Sequence, residues 1–327
     1  MRFFLIILLF VASGVSHAVE ERELDSRYES EIIPYYNSQA LRFHPYSNDA
    51  SKKFPYKLIK KGHQDLLVIL PGKGEPLERY AETLFDLKDV DRDILIVQFR
   101  GQGYSSRSLG DPEKTHIRKF EYVVDDLNSL FEYLDIKKQY GRISLVAHSM
   151  GAHHGLRYQL AYPLFDQLLL NAPLIGLLDE KETDQNYYLT IMLIGVGMAN
   201  SYVPGKGGWR DWSFEENDVS QSINRYRNFR RIDIENPTVR LGSVTVRWAY
   251  EAIKSEKLLF NDSSRLLVPV TIFQAGKELI VSNQKQQMLC DQLPNCDLIH
   301  VNKSMHNFLQ EKDEYRNQYL EYVKSSL

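Results

Sequence analysis

An α/β protein with a mainly parallel sheet covered by helices is what this sequence predicts, and three observations carry the prediction. Six apolar runs, DLLVIL (65–70), DILIVQF (93–99), RISLVA (142–147), DQLLLNA (166–172), VPVTIFQA (268–275) and CDLIHV (296–301), are continuous rather than alternating, as strands buried on both faces are. Helical patterns such as FEYVVDDLNSLFEYL (120–134) and NQKQQMLCDQL (283–293) lie between them. Strands alternating with helices in this way place the strands parallel and the helices on both faces. The third observation is the earlier stretch 30–60, where EIIPYY, LRF and FPYKLIK read as antiparallel strands leading into the sheet.

The alternation stops between residues 178 and 258. That region holds YYLTIMLIGVGMANSYVP, the glycine-rich GKGGW and the arginine- and aromatic-bearing INRYRNFRR. An insertion between the fourth and fifth parallel strands is the simplest account. The expected organisation is therefore a leader at 1–18, a first core segment at 19–177, a helical insertion at 178–258 and a second core segment at 259–327.

Composition restricts the function classes. A chain of 327 residues with 43% hydrophobic and 25% charged residues is a folded protein, neither disordered nor fibrous. A formal charge of −3 gives no electrostatic reason to bind nucleic acid. Residues 1–18 stand apart: Arg2, an apolar run from Phe3 to Val11, then small residues ending in SHA ahead of VEERE. This is a secretory leader pattern with cleavage expected after Ala18. The run is short for a membrane span, so an uncleaved anchor is the alternative. The sequons at Asn261 and Asn302 are acceptors in form, but a glycan on Asn302 would crowd His306, which favours a bacterial periplasm.

Only two cysteines occur, Cys290 and Cys296. In an exported chain their six-residue spacing suits a disulfide tying a helix end to the next strand, with free thiols as the alternative. No second Cys or His pair at ligand spacing lies nearby, so neither a metal nor a cofactor is expected.

The chemistry centres on VAHSMGAH. Ser149 directly follows a buried strand and precedes a helix, with Ala147 two residues before it and Gly151 two after. A sharp strand-to-helix turn needs small flanking residues and holds the hydroxyl out at the carboxyl end of the sheet. The competing account is a serine that caps the helix. A serine nucleophile needs a base and the base an orienting acid. His306 lies in a loop after the last apolar run, and Glu278 lies just beyond 268–275, giving the order Ser149, Glu278, His306. His148, His153 and His154 surround the turn without being the base, His300 points into or across the last strand, and His44, His63 and His116 are expected in solvent. LPGKGEPLERYAE follows strand 65–70, so the Lys73 backbone N–H is placed to pair with that of Met150 around a developing oxyanion. A phosphate loop is the weaker alternative, because GKG lacks the required spacing.

The segments PGKGEPLERYAE, FRGQGYSSR, AHSMGA, NPTVRLGSVTVRWAYEAI, QAGKELIVSN and SMHNFLQEKD, spread from about residue 68 to 315, resemble the bacterial lysophospholipase L2 branch of the monoacylglycerol lipase-like α/β-hydrolases. The resemblance implies an α/β-hydrolase fold with a helical cap over an acyl pocket. It also implies Ser149 as nucleophile, Glu278 as acid, His306 as base, and Lys73 and Met150 as N–H donors. The chain departs from the wider family in having Pro71-Gly72 before the oxyanion residue, a glutamate as acid, and a leader.

Arg225, Arg227, Arg230 and Arg231 interleave with Tyr226 and Phe229. Such a cluster suits phosphate head groups or an anionic membrane surface, although it is more commonly the solvated face of a helix. The apolar run 187–199, with Trp209, Trp212 and Trp248, is expected to line a channel for one acyl chain. The sequence thus predicts an exported serine hydrolase acting on esters of monoacyl lipids, with transient contact between cap and membrane. The alternatives are a peptidase or short-chain esterase on the same fold, or a silent lipid-binding relative.

Overall fold

Each of the six apolar runs forms a strand. A computed structural model describes residues 18–177 and 180–327; most of the expected leader and the first residues of the insertion lie outside them. The strands are β1 (Leu41–Tyr46), β2 (Asp49–Ile59), β3 (Leu66–Leu70), β4 (Asp93–Val97), β5 (Ile143–His148), β6 (Gln167–Asn171), β7 (Val270–Ala275) and β8 (Cys296–Val301). They make one eight-stranded sheet in the order β1-β2-β4-β3-β5-β6-β7-β8. The β1–β2 and β2–β4 pairs are antiparallel and all the others parallel.

The helices are α1 (Glu21–Arg27), α2 (Ile33–Ser38), α3 (Ala81–Asp86), α4 (Glu121–Tyr133), α5 (Ile136–Gln139), α6 (Met150–Ala161), α7 (Glu180–Gly195), α8 (Ile223–Glu235), α9 (Val246–Asp262), α10 (Asn283–Gln292) and α11 (Asp313–Ser326). Alternate residues of β3 feed opposite cores. Leu66, Val68 and Leu70 pack with α4, α6, α9 and α10, whereas Leu67 and Ile69 pack with α1, α2, α3 and α11. All five β3 side chains are fully buried, each contributing about 1.5–3 kcal/mol by leaving water. Continuous apolar strands follow directly from this two-sided burial.

EIIPYY is not a strand. Tyr28–Ile32 is a π-helical turn running into α2. Leu24, Tyr28, Ile32 and Tyr36, four residues apart, all enter the core, and Pro34 sits in the first turn of α2 where no N–H is needed. Strands begin only at Leu41.

Between β6 and β7 the chain runs through α7, α8 and α9. α7 packs on α9, with the Tyr187 and Tyr250 rings stacked at 5.4 Å and Lys257 paired with Asp184 at 2.7 Å. α8 is bound to the core by Arg79–Asp233 at 2.7 Å. The segment entering α9 pairs with the loop after β4, where the Thr245 N–H donates to Thr115 O at 3.0 Å. Among the described residues no helix is long and apolar enough to cross a membrane.

Candidate active site

Ser149 sits where β5 becomes α6, at φ 50° and ψ −114°, a conformation that residues with a side chain rarely adopt. The turn survives because its surroundings fix it. The Ser149 N–H donates to Asn171 O and its carbonyl accepts from Leu174 N–H, both at 3.0 Å. A Cβ on Gly151 would lie 2.3 Å from Leu70 O and 2.4 Å from Pro71 O, so only glycine lets α6 start this close to the end of β3. The serine hydroxyl makes no capping hydrogen bond to α6. Instead its Oγ lies 3.0 Å from His306 Nε2.

The next link is shorter: His306 Nδ1 is 2.7 Å from Glu278 Oε2. Both side chains are almost wholly buried, at 4% and 2% exposure. Gly276 makes this approach feasible, because a Cβ there would lie 2.1 Å from Asn302 O. The loops after β7 and β8 therefore press together, joined by Gly276 N–H to Val301 O and Lys277 N–H to Ser304 O, both at 2.9 Å. Burial works against ionisation of Glu278. His306 beside it, and the Ile280 and Val281 N–H groups at 2.8 and 3.2 Å, outweigh that and hold the carboxyl below its ordinary range. Ser149, His306 and Glu278 thus form a continuous relay with the acid ionised.

Lys73 is exposed in the loop after β3. On either side of it the Gly72 N–H is taken by Glu75 and the Gly74 N–H by Gln102, both at 2.5 Å, while no acceptor among the described residues takes the Lys73 N–H. The Met150 N–H opens α6, where the first N–H groups have no intrahelical partner. Gly151, the residue after Met150, lies against Leu70 and Pro71, and Pro71 is two residues before Lys73.

Sequence reading missed Glu75. It is 4% exposed and accepts from Gly72 N–H, from the Tyr80 hydroxyl at 2.7 Å and from Asn307 Nδ2 at 2.6 Å, with His148 Nδ1 at 3.1 Å. Burial pushes its carboxyl up, but His148 and Tyr80 beside it pull it down to about 2. No motif announces Glu75, because its partners come together only in the fold.

His44, His116, His153, His154 and His300 each pack or bond against neighbouring side chains, and two expectations need correcting. His153 bridges Leu174 O and Ser255 Oγ at 2.9 and 2.7 Å, and burial lowers it to about 4. His154 packs against Phe99 and Phe120. His300 lies beside Gln274 at 2.9 Å. His44 and His116 are buried rather than solvated, beside Ser129 and Thr245, each at 3.0 Å.

The arginine cluster also differs from expectation. Arg225 is 1% exposed, caught by Glu82, Asp313 and the carbonyls of Val19 and Glu311. Arg230 is buried against Asp211, and Arg231 pairs with Glu29 at 2.8 Å. The Arg225 guanidinium, saturated by carboxylates and carbonyls, has no donors left for a phosphate, whereas Arg231 is partly exposed and Arg227 exposed. The three tryptophans lie in separate surroundings. Trp209 lies between Arg230 and Arg240, Trp212 is 45% exposed under Arg210, and Trp248 packs against Phe120. Cys290 and Cys296 form a disulfide with Cα atoms 5.4 Å apart, joining α10 to β8.

The sheet order and the strand-to-helix turn after β5 define an α/β-hydrolase fold. A probable lysophospholipase L2 of Haemophilus influenzae is 28% identical over 302 residues, covering 91% of this chain and 95% of that protein. Lysophospholipase L2 of Escherichia coli K12 is 29% identical over 235 residues, covering 70% of this chain and 68% of that one. A soluble variant of monoglyceride lipase from Saccharomyces cerevisiae, solved with a substrate analogue, superposes with a TM-score of 0.69 at 15% identity, covering 88% of this chain and 94% of that one. The model of the family described as serine aminopeptidase, S33, matches residues 61–313. The chain belongs to that family, in its lysophospholipase L2 and monoacylglycerol lipase-like branch.

Proposed function

We propose that the protein is an exported serine hydrolase that cleaves carboxylic esters of monoacyl lipids through an acyl-enzyme. The observation that carries this is the relay from Ser149 through His306 to the ionised Glu278. In the first half-reaction His306 Nε2 takes the Ser149 proton as Oγ attacks the ester carbonyl. The imidazolium, held by Glu278, then gives that proton to the departing alcohol oxygen. Water deacylates the serine by the same route and releases the fatty acid. The Lys73 and Met150 N–H groups receive the oxyanion, each such donor being worth about 3–4 kcal/mol in the transition state.

A lipid ester is favoured because the named relatives are lysophospholipases and monoglyceride lipases. Exposed apolar side chains agree with that substrate. Tyr188, Met192 and Val196 on and after α7 are 58–69% exposed, and Leu279, next to Glu278, is 73% exposed. Such side chains suit transient contact with a lipid surface. The family description favours a second reading, an aminopeptidase, on the same relay.

One experiment separates the readings. The purified protein is treated with a fluorophosphonate probe and assayed on lysophospholipids, monoglycerides, short-chain esters and aminoacyl amides. Labelling at Ser149 is expected, with rates rising by about fourfold for each added acyl CH₂ until the site is full. Faster turnover of aminoacyl amides than of C12–C18 single-chain esters selects the peptidase. No labelling at Ser149 removes the enzyme reading altogether.

A further inference from the structure

Val19, the residue after the expected leader, is buried although Ala18 and Glu20 on either side of it are only partly so. Val19 is 0% exposed, and its N–H donates to Asp86 Oδ1 at 2.9 Å. Asp86 is itself 2% exposed and is paired with the fully buried Arg316 at 2.7 Å. Arg316 also reaches Glu82 at 3.4 Å, and Glu82 accepts from Arg225 at 3.0 Å. Arg225 in turn donates to Asp313 at 2.7 Å and to Val19 O at 3.0 Å. Among the described residues the cluster holds three carboxylates, Glu82, Asp86 and Asp313, and two guanidiniums, Arg225 and Arg316. Lys324, half-buried at its margin, also feels the charge of Asp86. Burial keeps the Glu82 carboxyl above its ordinary range even with both guanidiniums beside it, and the neighbouring Asp86 acts in the same direction.

An amide N–H supplies Asp86 with one hydrogen bond and no charge. Hydrolysis of the Ala18–Val19 peptide bond adds water across it, leaving a carboxylate on Ala18 and a protonated amine on Val19. That is the bond expected to be cut by a leader peptidase after SHA. We propose that processing at Ala18–Val19 creates an α-ammonium that seats on Asp86, balancing a buried charge cluster that binds the mature N-terminus to α8, α11 and the chain just beyond His306. The last connection runs through Arg225, which donates to Glu311 O at 2.6 Å, and through the Glu311 carboxylate, which holds Met305 N–H at 2.8 Å. The proposal rests on residues 1–18 being a leader and is independent of the hydrolase chemistry.

The test uses the full-length chain expressed for export. The recovered protein is sequenced from its N-terminus and exposed at neutral pH to an amine-acylating reagent, with labelling read by mass spectrometry. The expected product starts at Val19, and its α-amine labels about tenfold more slowly in the native than in the denatured protein, as one unit of stabilised ammonium requires. The exposed Lys138 serves as control. Asp86→Asn should restore labelling. Because that variant also removes the nearer of the two carboxylates paired with Arg316, a second variant inserts one glycine between Ala18 and Val19, which moves the charge off its seat and should lower Tm by about 4 °C. A product that retains residues 1–18 or starts elsewhere overturns the proposal together with the leader reading. A product starting at Val19 whose amine labels freely, or an inserted glycine that leaves Tm unchanged, overturns the ammonium seat alone.

Discussion

Asn307 donates to Glu75 at 2.6 Å across 232 positions of sequence. That hydrogen bond ties the residue next to His306 to the loop after β3, while the other oxygen of Glu75 holds the Gly72 N–H and lies beside His148. Glu75→Gln puts an NH₂ where one of these donors points. Loss of register between the base and the N–H donors should lower kcat by about tenfold to a hundredfold and leave KM nearly unchanged. A variant that raises KM at constant kcat would place Glu75 in substrate binding instead.

Glu75 also predicts an acid dependence of stability. Its folded value of about 2 lies below the ordinary 4.5, so its contribution is fully present above pH 4.5 and is lost as the pH falls towards 2. The shift corresponds to about 3 kcal/mol at neutral pH. Urea unfolding of wild type and Glu75→Gln should show a gap that narrows between pH 5 and pH 3, within the window set by those two values. A gap that stays constant over that range rejects the ionised, multiply bonded state.

The relay predicts graded losses. Ser149→Ala should abolish fluorophosphonate labelling and turnover with the fold retained. Glu278→Gln keeps the base but misorients it, and should leave about one part in ten thousand of kcat. Equal, complete loss in both variants would mean that Glu278 is needed for folding, which circular dichroism and Tm would reveal.

Arg225 and Arg227, two positions apart, should behave as opposites. Arg225→Ala strands Glu82 and Asp313 and should cost about 3–5 kcal/mol of stability. Arg227→Ala, on the exposed side of α8, should change stability by less than about 0.5 kcal/mol. Chemical denaturation decides, and comparable losses would contradict the burial of Arg225.

Reduction of Cys290–Cys296 opens a short loop at the edge of the sheet, and should cost about 2–3 kcal/mol without unfolding the chain. Thermal melts with and without reductant, followed by alkylation, check it. Thiols that alkylate before reduction would count against the bridge.

What the sequence disclosed, and what it hid, divides along local and long-range physics. β3 to β7 were legible because burial on both faces leaves a continuous apolar run, whereas β8, apolar in sequence, is an edge strand in which only Val301 is buried. The turn at Ser149 was legible because its small neighbours are adjacent in the chain. EIIPYY misled because Ile32, Ile33 and Tyr35-Tyr36 look strand-like by composition, whereas the spacing from Leu24 through Tyr28 and Ile32 to Tyr36 is helical. The arginines of α8 misled for a different reason. Their carboxylate partners, Glu82, Asp313, Asp211 and Glu29, come from four separate segments, and no window of sequence contains them. Glu75 was invisible on the same ground.

The Glu21 N–H donates to Asp313 at 2.9 Å across 292 positions, so the first helix is seated by the start of the last. A chain is made from its N-terminus, and this seat of α1, unlike the Asp86 and α8 contacts of the same segment, is not available until nearly every other residue has followed. Contacts of such separation form late, because their loop-closure entropy must be met before they stabilise anything. The front of the chain therefore keeps one of its anchors unmade until synthesis is almost complete. Truncation before Asp313 should leave α1 open to protease; a protected α1 in that fragment would show that it docks early.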